Sequence, residues 1–250
     1  MKIAIITGAS RGLGKSMALH VAEHGHGVIV TYLSKKAEAD DVVAQIEGAG
    51  GSAAALQLDA SDQRTFAAFA ASVKEALQRK WQRADFDALI NNAGIGAHAS
   101  FETTTIDQFD SLVNVHLKGP FFLTQTLLPL MKDGGRILNV STGLTRIIYP
   151  GYAAYASMKG AIETLTKYQA QELGSRKIAV NVIAPGAIET DFGGGAVRDN
   201  KELNARIASM TALGRVGLPD DVGAAVRALL GDDAAWINAQ RIEVSGGQSI

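Results

Sequence analysis

Two rhythms of apolar residues alternate along this chain of 250 residues. Short, nearly continuous apolar runs occupy residues 3–6, 27–32, 53–58, 86–90, 135–140, 178–184 and 240–244. Runs of that kind suit strands of a parallel sheet buried on both faces. Between them, apolar positions recur every three or four residues, the spacing of one helix face. Met17, Ala18 and Val21 mark such a stripe before Gly25, and Val42, Val43 and Ile46 mark another within 37–50. Phe66, Phe69, Val73 and Leu77 make a third within 62–83. Residues 105–131 read as mostly helical, with Pro120 and Pro129 at bends or boundaries. Helices are predicted at 152–174 and at 219–230, the latter with proline in its first turn. Residues 187–215 lack a clean period and contain Gly193-Gly194-Gly195; they are predicted to form a mobile lid with one short helix near 202–210. Strictly alternating strands and helices call for one α/β domain: a doubly wound parallel sheet of about seven strands with helices on both faces.

Composition narrows the partners. Lys and Arg number 24 and Asp and Glu 25, a net charge of −1, so nothing points to nucleic acid or an anionic membrane. Cysteine is absent, which removes disulfides, thiolate metal sites and cysteine nucleophiles and is compatible with a cytoplasmic home. The apolar start at 3–6 is too short for a signal-peptide core, and no uncharged apolar run is long enough to span a bilayer. The 27 glycines cluster at segment ends, as strand-to-helix turns require.

Two places carry candidate chemistry. Thr7-Gly8-Ala9-Ser10-Arg11-Gly12-Leu13-Gly14 lies between the first strand and the first helix. Missing side chains let phosphate approach there, and the helix start offers free N–H groups and a positive dipole end. The second place is Tyr155-Ala-Ser-Met-Lys159. Residues four apart share a helix face, so a lysine there would stabilise the phenolate and lower the tyrosine pKa.

Read together, Gly8-x3-Gly12-x-Gly14, Asn91-Asn92-Ala93-Gly94, Asn114, Ser141-Thr142, Tyr155-x3-Lys159 and Asn181-x3-Pro185-Gly186 occur in one order. The series resembles the short-chain dehydrogenase/reductase family over essentially the whole chain, in the branch with 3-ketoacyl carrier-protein reductases and glucose dehydrogenases. The resemblance implies a Rossmann-like fold and hydride exchange between NADP and a small carbonyl or alcohol. It makes Tyr155 the general acid/base and Lys159 its partner and ribose ligand. Asn114 would hold a water behind the lysine, and a hydroxyl from Ser141 or Thr142 would polarise the carbonyl. Spacing to the tyrosine favours Thr142; serine is the family norm.

The resemblance also assigns the cofactor contacts. Gly8, Ser10, Arg11, Gly12, Leu13 and Gly14 would form the phosphate loop. Tyr32, Ser34 and Lys35 end the second strand without the acid that NAD enzymes carry there, and Arg11 suits a 2′-phosphate, so NADP is favoured over NAD. Asp59 and Ala60 would meet the adenine, Asn91, Ala93 and Gly94 the adenosine side, and Pro185, Gly186, Ile188 and Thr190 the nicotinamide. A homotetramer is implied too. Tyr152, seven residues before Lys159, leaves open an enoyl reductase working through that tyrosine; a non-catalytic NADP-binding regulator is the other alternative. His20, His24 and His26 lack a carboxylate at ligand spacing and suggest no metal site. His116 reads as packing or a subunit contact, and His98 as a residue near the substrate.

Overall fold

The computed structural model describes residues 1–250. Seven parallel strands form one sheet: β1 (Ile3–Ile6), β2 (Gly27–Tyr32), β3 (Ser52–Gln57), β4 (Phe86–Asn91), β5 (Met131–Val140), β6 (Ala179–Pro185) and β7 (Arg241–Val244). Their spatial order is β3-β2-β1-β4-β5-β6-β7, so the order reverses between β1 and β4. Ligands of doubly wound sheets bind at that reversal, beyond the strand C-termini.

Alternate residues of each strand feed opposite layers. Ala4, Ile6, Val28 and Val30 join Met17 and Val21 of α1 (Gly12–Glu23), Val42 and Ile46 of α2 (Lys36–Gly48), and Val222 and Val226 of α9 (Pro219–Leu230). Ile3, Ile5 and Ile29 pack the other way, against Phe69 and Val73 of α3 (Phe66–Trp81) and Leu123 and Leu127 of α5 (Gly119–Leu127). A third, small cluster joins Leu112 of α4 (Ile106–Val113) to Tyr155 and Met158 of α6 (Ala153–Glu172).

Three departures from the sequence reading concern the site. First, the mostly helical stretch at 105–131 is broken ahead of Pro120, which starts α5 as a boundary: α4 and α5 are joined by a π-turn, Asn114–Lys118. The Gly119 N–H donates to the Asn114 carbonyl five residues back, and Pro120 has no N–H to return to His116. Second, β5 starts at Met131 rather than 135, with a register irregularity against β4 between Phe86 and Ala88. Third, the 187–215 excursion holds two short helices, α7 (Ala196–Asp199) and α8 (Lys201–Ser209), behind a 3-10 turn at Phe192–Gly195. Gly193, Gly194 and Gly195 have φ of 63°, 74° and 77°, a run of left-handed conformations that residues with a Cβ rarely hold.

Candidate functional site

The glycine loop leaves β1 and enters α1 over a crowded floor. Gly8 and Gly12 have φ of 63° and 56°. A Cβ on Gly14 would lie 2.6 Å from Asn92 Nδ2 and closer still to the Gly8 carbonyl oxygen, so only glycine fits there. Asn92 Nδ2 donates to the carbonyls of Thr7 (2.8 Å) and Gly8 (3.1 Å), tying the end of β4 to the loop. Ser10, Arg11, Gly12 and Lys15 line a cleft of about 590 Å³ at the α1 N-terminus, with Glu38, Asp41 and Gln45 of α2 opposite. Bare glycine main chain, a helix start and two cations fit the phosphate end of a dinucleotide. Lys15, one turn into the helix, was legible only as a basic residue on a helix face.

The remaining expected cofactor residues divide. Thr190 lies against the loop, 3.9 Å from a Cβ built on Gly12, and Asp191 beside it faces Arg11 at 3.7 Å. Ile188 bridges to Gly217, and Pro185 and Gly186 lie under Gly143 in the turn after β5. Leu13 packs on the sheet core, while Tyr32, Ser34 and Lys35 sit at the end of β2, outside the cleft lining. Asp59 accepts from Ser61 N and Oγ, and Ala60 packs its carbonyl on Gly119. Ala93 N donates to Thr7 Oγ1, and Gly94 leaves room for the His116 ring. The Asn91 side chain is buried and donates to Thr124 Oγ1 (3.1 Å) and Asn139 Oδ1 (2.8 Å).

Tyr155 and Lys159 share the inner face of α6, at 6% and 5% exposure. Lys159 Nζ donates to the Val140 carbonyl at 2.8 Å and stands 5.7 Å from the centre of the Tyr155 ring. Burial pulls the ammonium down to about 7. Burial also pushes the Tyr155 phenol up, opposed by the Thr142 hydroxyl and reinforced by Tyr152. Burial dominates the phenol, and Lys159 is not among the groups that shift it, so the expected lowering by the lysine is not seen in the protein alone. Such a phenol holds its proton, the state an acid needs before donating it.

The two hydroxyls after β5 point to different partners. Ser141 Oγ donates to Glu163 Oε1 at 2.7 Å, where Thr145 Oγ1 (2.8 Å) and Arg241 Nε (2.8 Å) also converge. Thr142 is the neighbour that acts on Tyr155, although the two do not meet in a well-formed hydrogen bond.

Asn114 sits in the π-turn with its carbonyl facing Gln63 Nε2 (3.4 Å) and the Gly119 N–H. His116, two residues on, is 1% exposed and stands edge-to-face on Tyr155, with ring centres 5.2 Å apart. Of the two sequence expectations, packing or a subunit contact, the ring shows packing, and it packs beside Tyr155. Burial, then the Lys159 charge, hold its pKa down to about 3.

Aromatic rings surround the phenol. Tyr152 stands 6.5 Å from Tyr155 and carries His98 on its edge at 5.1 Å. Phe192, from the excursion, leans over Tyr155 at 5.7 Å, and Gly96 lies under it. Among the described residues no cluster of His, Cys, Asp and Glu could hold a metal, and no helix is long and apolar enough to cross a membrane.

A glycine loop, a buried Tyr–Lys pair and a hydroxyl at the C-terminal edge of one doubly wound sheet define a nucleotide-dependent oxidoreductase site. Residues 8–249 match the family model described as enoyl-(acyl carrier protein) reductase. The chain is 37% identical over 246 residues to an uncharacterized oxidoreductase of Methylorubrum extorquens, covering 98% of this chain and 97% of that one. It is 33% identical to versicolorin reductase 1 of Aspergillus parasiticus, covering 98% and 95%. The crystal structure of the angucycline C-6 ketoreductase LanV with bound NADP superposes with a TM-score of 0.94 at 35% identity, covering 99% and 95%. The chain belongs to the short-chain dehydrogenase/reductase family and is an oxidoreductase.

Proposed function

We propose that this chain is an NADPH-dependent ketoreductase, with Tyr155 as the general acid in the direction of alcohol formation. The observation that carries the reading is the buried triangle of Thr142, Tyr155 and Lys159 at the end of β5. When bound, NADPH supplies the hydride. The loop from Gly8 to Gly14, with Arg11 and Lys15, holds its phosphates. Thr142 donates a hydrogen bond to the substrate carbonyl, and Tyr155 gives its proton to that oxygen as negative charge develops there. Lys159 carries the compensating charge beside the phenolate that remains. Burial of all three keeps competing water out of the proton transfer.

The walls favour a flat aromatic ketone. Tyr152, His98 and Phe192 offer ring faces and edges on the open side of Tyr155. A relative named versicolorin reductase 1 and a solved neighbour named angucycline C-6 ketoreductase support reduction of a ketone here. The 187–215 segment, carrying Phe192, serves as the lid of one catalytic domain. Exposed Phe109, Phe121 and Phe122 on α4 and α5 fit a surface covered by another copy, in line with a homotetramer working in the cytoplasm.

A second reading, reduction of a carbon–carbon double bond through Tyr152, draws support from the family model's description. Against it, Lys159 lies over the ring of Tyr155. NADPH oxidation with a fused-ring aromatic ketone, an aliphatic ketone and an enoyl thioester separates the readings. Turnover of the aromatic ketone is expected. Turnover of the thioester alone would favour the enoyl reductase, and NADPH binding without oxidation of any of them a regulator.

A further inference from the structure

Gln248, in the segment that follows β7, is only 6% exposed. Glutamines are mostly surface residues, and the chain is bent to place this one inside. Gly247 before it and Ser249 after it have φ of 78° and 52°. The left-handed conformation is costly for Ser249, which carries a Cβ, so the contacts of this segment must outweigh it.

Those contacts reach three separate pieces of the site. Gln248 Oε1 accepts from the Ala187 N–H at 2.9 Å. The same oxygen would lie 2.8 Å from a Cβ on Gly186, so the side chain comes in against bare main chain. That main chain belongs to the stretch after β6 that the resemblance gives to the nicotinamide. Second, residues 246–249 run along 210–213, where the lid returns. Gln248 bridges antiparallel to Thr211, and Ala212 N donates to the Gly247 carbonyl at 3.2 Å. Leu213 N donates to the Gly246 carbonyl at 3.1 Å, and Ser249 N to the Met210 carbonyl at 2.8 Å. Third, the Gln248 carbonyl accepts from Arg146 Nη2 at 2.7 Å, directly after the turn that Thr142 begins.

The lid therefore has both ends fastened to one short segment. A side chain holds its outgoing end and main-chain bonds hold its returning end. The outgoing end is also paired with Gly217, whose N–H donates to the Ala187 carbonyl (2.9 Å) and whose carbonyl accepts from Glu189 N (3.0 Å). The left-handed glycines 193–195, α7 and α8 lie between the two fastened ends. We propose that Gln248 is a positioning residue of the site: by holding Ala187 against 246–249 it fixes the wall from Pro185 to Ile188 and confines lid motion to residues 190–209. Without that acceptor the Ala187 N–H loses its partner and the wall its anchor. The kinetic consequence rests on the ketoreductase reading; the anchoring of the lid does not.

The test pairs Gln248→Met, which keeps the length of the side chain and removes the amide oxygen, with Gly247→Ala, which attacks the other end. A Cβ on Gly247 would lie 2.8 Å from Ala212 Cβ, so it pushes on the returning end of the lid. Hydrogen exchange read by mass spectrometry follows peptides covering 186–192, 207–214 and, as a control far from the lid, α3. Gln248→Met is expected to speed exchange in 186–192 about fivefold or more, and Gly247→Ala to do so in 207–214, with α3 within about twofold of the parent in both. Ketone KM in Gln248→Met should rise about tenfold, the scale of one lost hydrogen bond, with kcat within about threefold. Unchanged exchange at either end of the lid would overturn the proposal. So would an equal rise in α3, which would make the glutamine a general stabiliser of the fold, or an unchanged KM. If the parent protein reduces no ketone at all, the ketoreductase reading falls, and the exchange measurements still decide the anchor.

Discussion

Ser141 donates its hydroxyl hydrogen to Glu163 at 2.7 Å, and that bond commits it to a structural network. Glu163 also receives Thr145 and Arg241, and Arg241 continues to Glu243 at 2.9 Å. Arg146 joins the same carboxylate and, with Arg241 and Ser245, holds Glu243 down to about 2. The neighbouring hydroxyl, Thr142, is left facing Tyr155. Thr142→Ala should therefore lower kcat/KM by about a hundredfold, the usual cost of one donor to a developing oxyanion, and Thr142→Ser should keep most of it. Ser141→Ala should lower stability by about 1 kcal/mol with kcat/KM nearly unchanged. Steady-state kinetics beside thermal melts check both; the reverse pattern would return the role to Ser141.

Lys159 gives a pH dependence of stability with a definite sign. Its pKa is about 7 in the folded protein against the ordinary lysine value of 10.5, so between these the unfolded chain binds the extra proton. Folding is favoured as pH rises through that window, and the burial penalty is fully felt below pH 7. Lys159→Met lacks the penalty. Its stability advantage over the parent should be larger at pH 6 than at pH 9, changing by up to about 1.4 kcal/mol per pH unit within the window. Chemical denaturation at the two pH values measures the difference; a constant offset would contradict the buried, weakly basic lysine.

Arg11 sits in the phosphate cleft with Asp191 as its present partner at 3.7 Å. A 2′-phosphate is a stronger partner for that guanidinium. Arg11→Ala should weaken NADPH binding about tenfold, as loss of a charge-assisted hydrogen bond does, and leave NADH binding nearly as it was. Fluorescence titration with the two nucleotides reads this directly. Equal losses would mean that Arg11 serves the phosphates common to both.

Phe192 leans on Tyr155 from the segment whose next three residues are left-handed glycines. Phe192→Ala should raise KM for a fused-ring ketone about three- to tenfold, the scale of one aromatic contact, while a small aliphatic ketone is unaffected. Equal effects on both would make the ring a general lid contact with no part in specificity.

The sheet and its order of helices were legible because each strand is an apolar run and each helix shows its stripe. The Gly8–Gly14 and Tyr155–Lys159 placements followed from spacing alone. What was not legible depends on atoms that pattern does not carry. Spacing favoured Thr142 over Ser141, but it did not carry where each hydroxyl points, because adjacent side chains in extended chain take opposite directions. The π-turn at 114–118 turns His116 inward, which no helical period carries. A histidine reads as polar in any pattern, and only the fold reveals it as one of the most buried groups in the site. The direction of the Asn91 side chain, turned into the polar network with Thr124 and Asn139, was likewise not carried by the pattern. In the excursion, three glycines in succession hide the turn that separates Phe192 from the short helices.

The central claim is that the Tyr155 hydroxyl is the proton source for carbonyl reduction. Tyr155→Phe removes one oxygen from a buried ring and leaves the cleft at Gly8–Gly14 untouched. Ketone-dependent NADPH oxidation by this variant, measured beside its NADPH affinity, is the most direct test. Turnover should fall by about a thousandfold or more while NADPH binds within a few-fold of the parent; ketone reduction at the parent rate would show that another group delivers the proton.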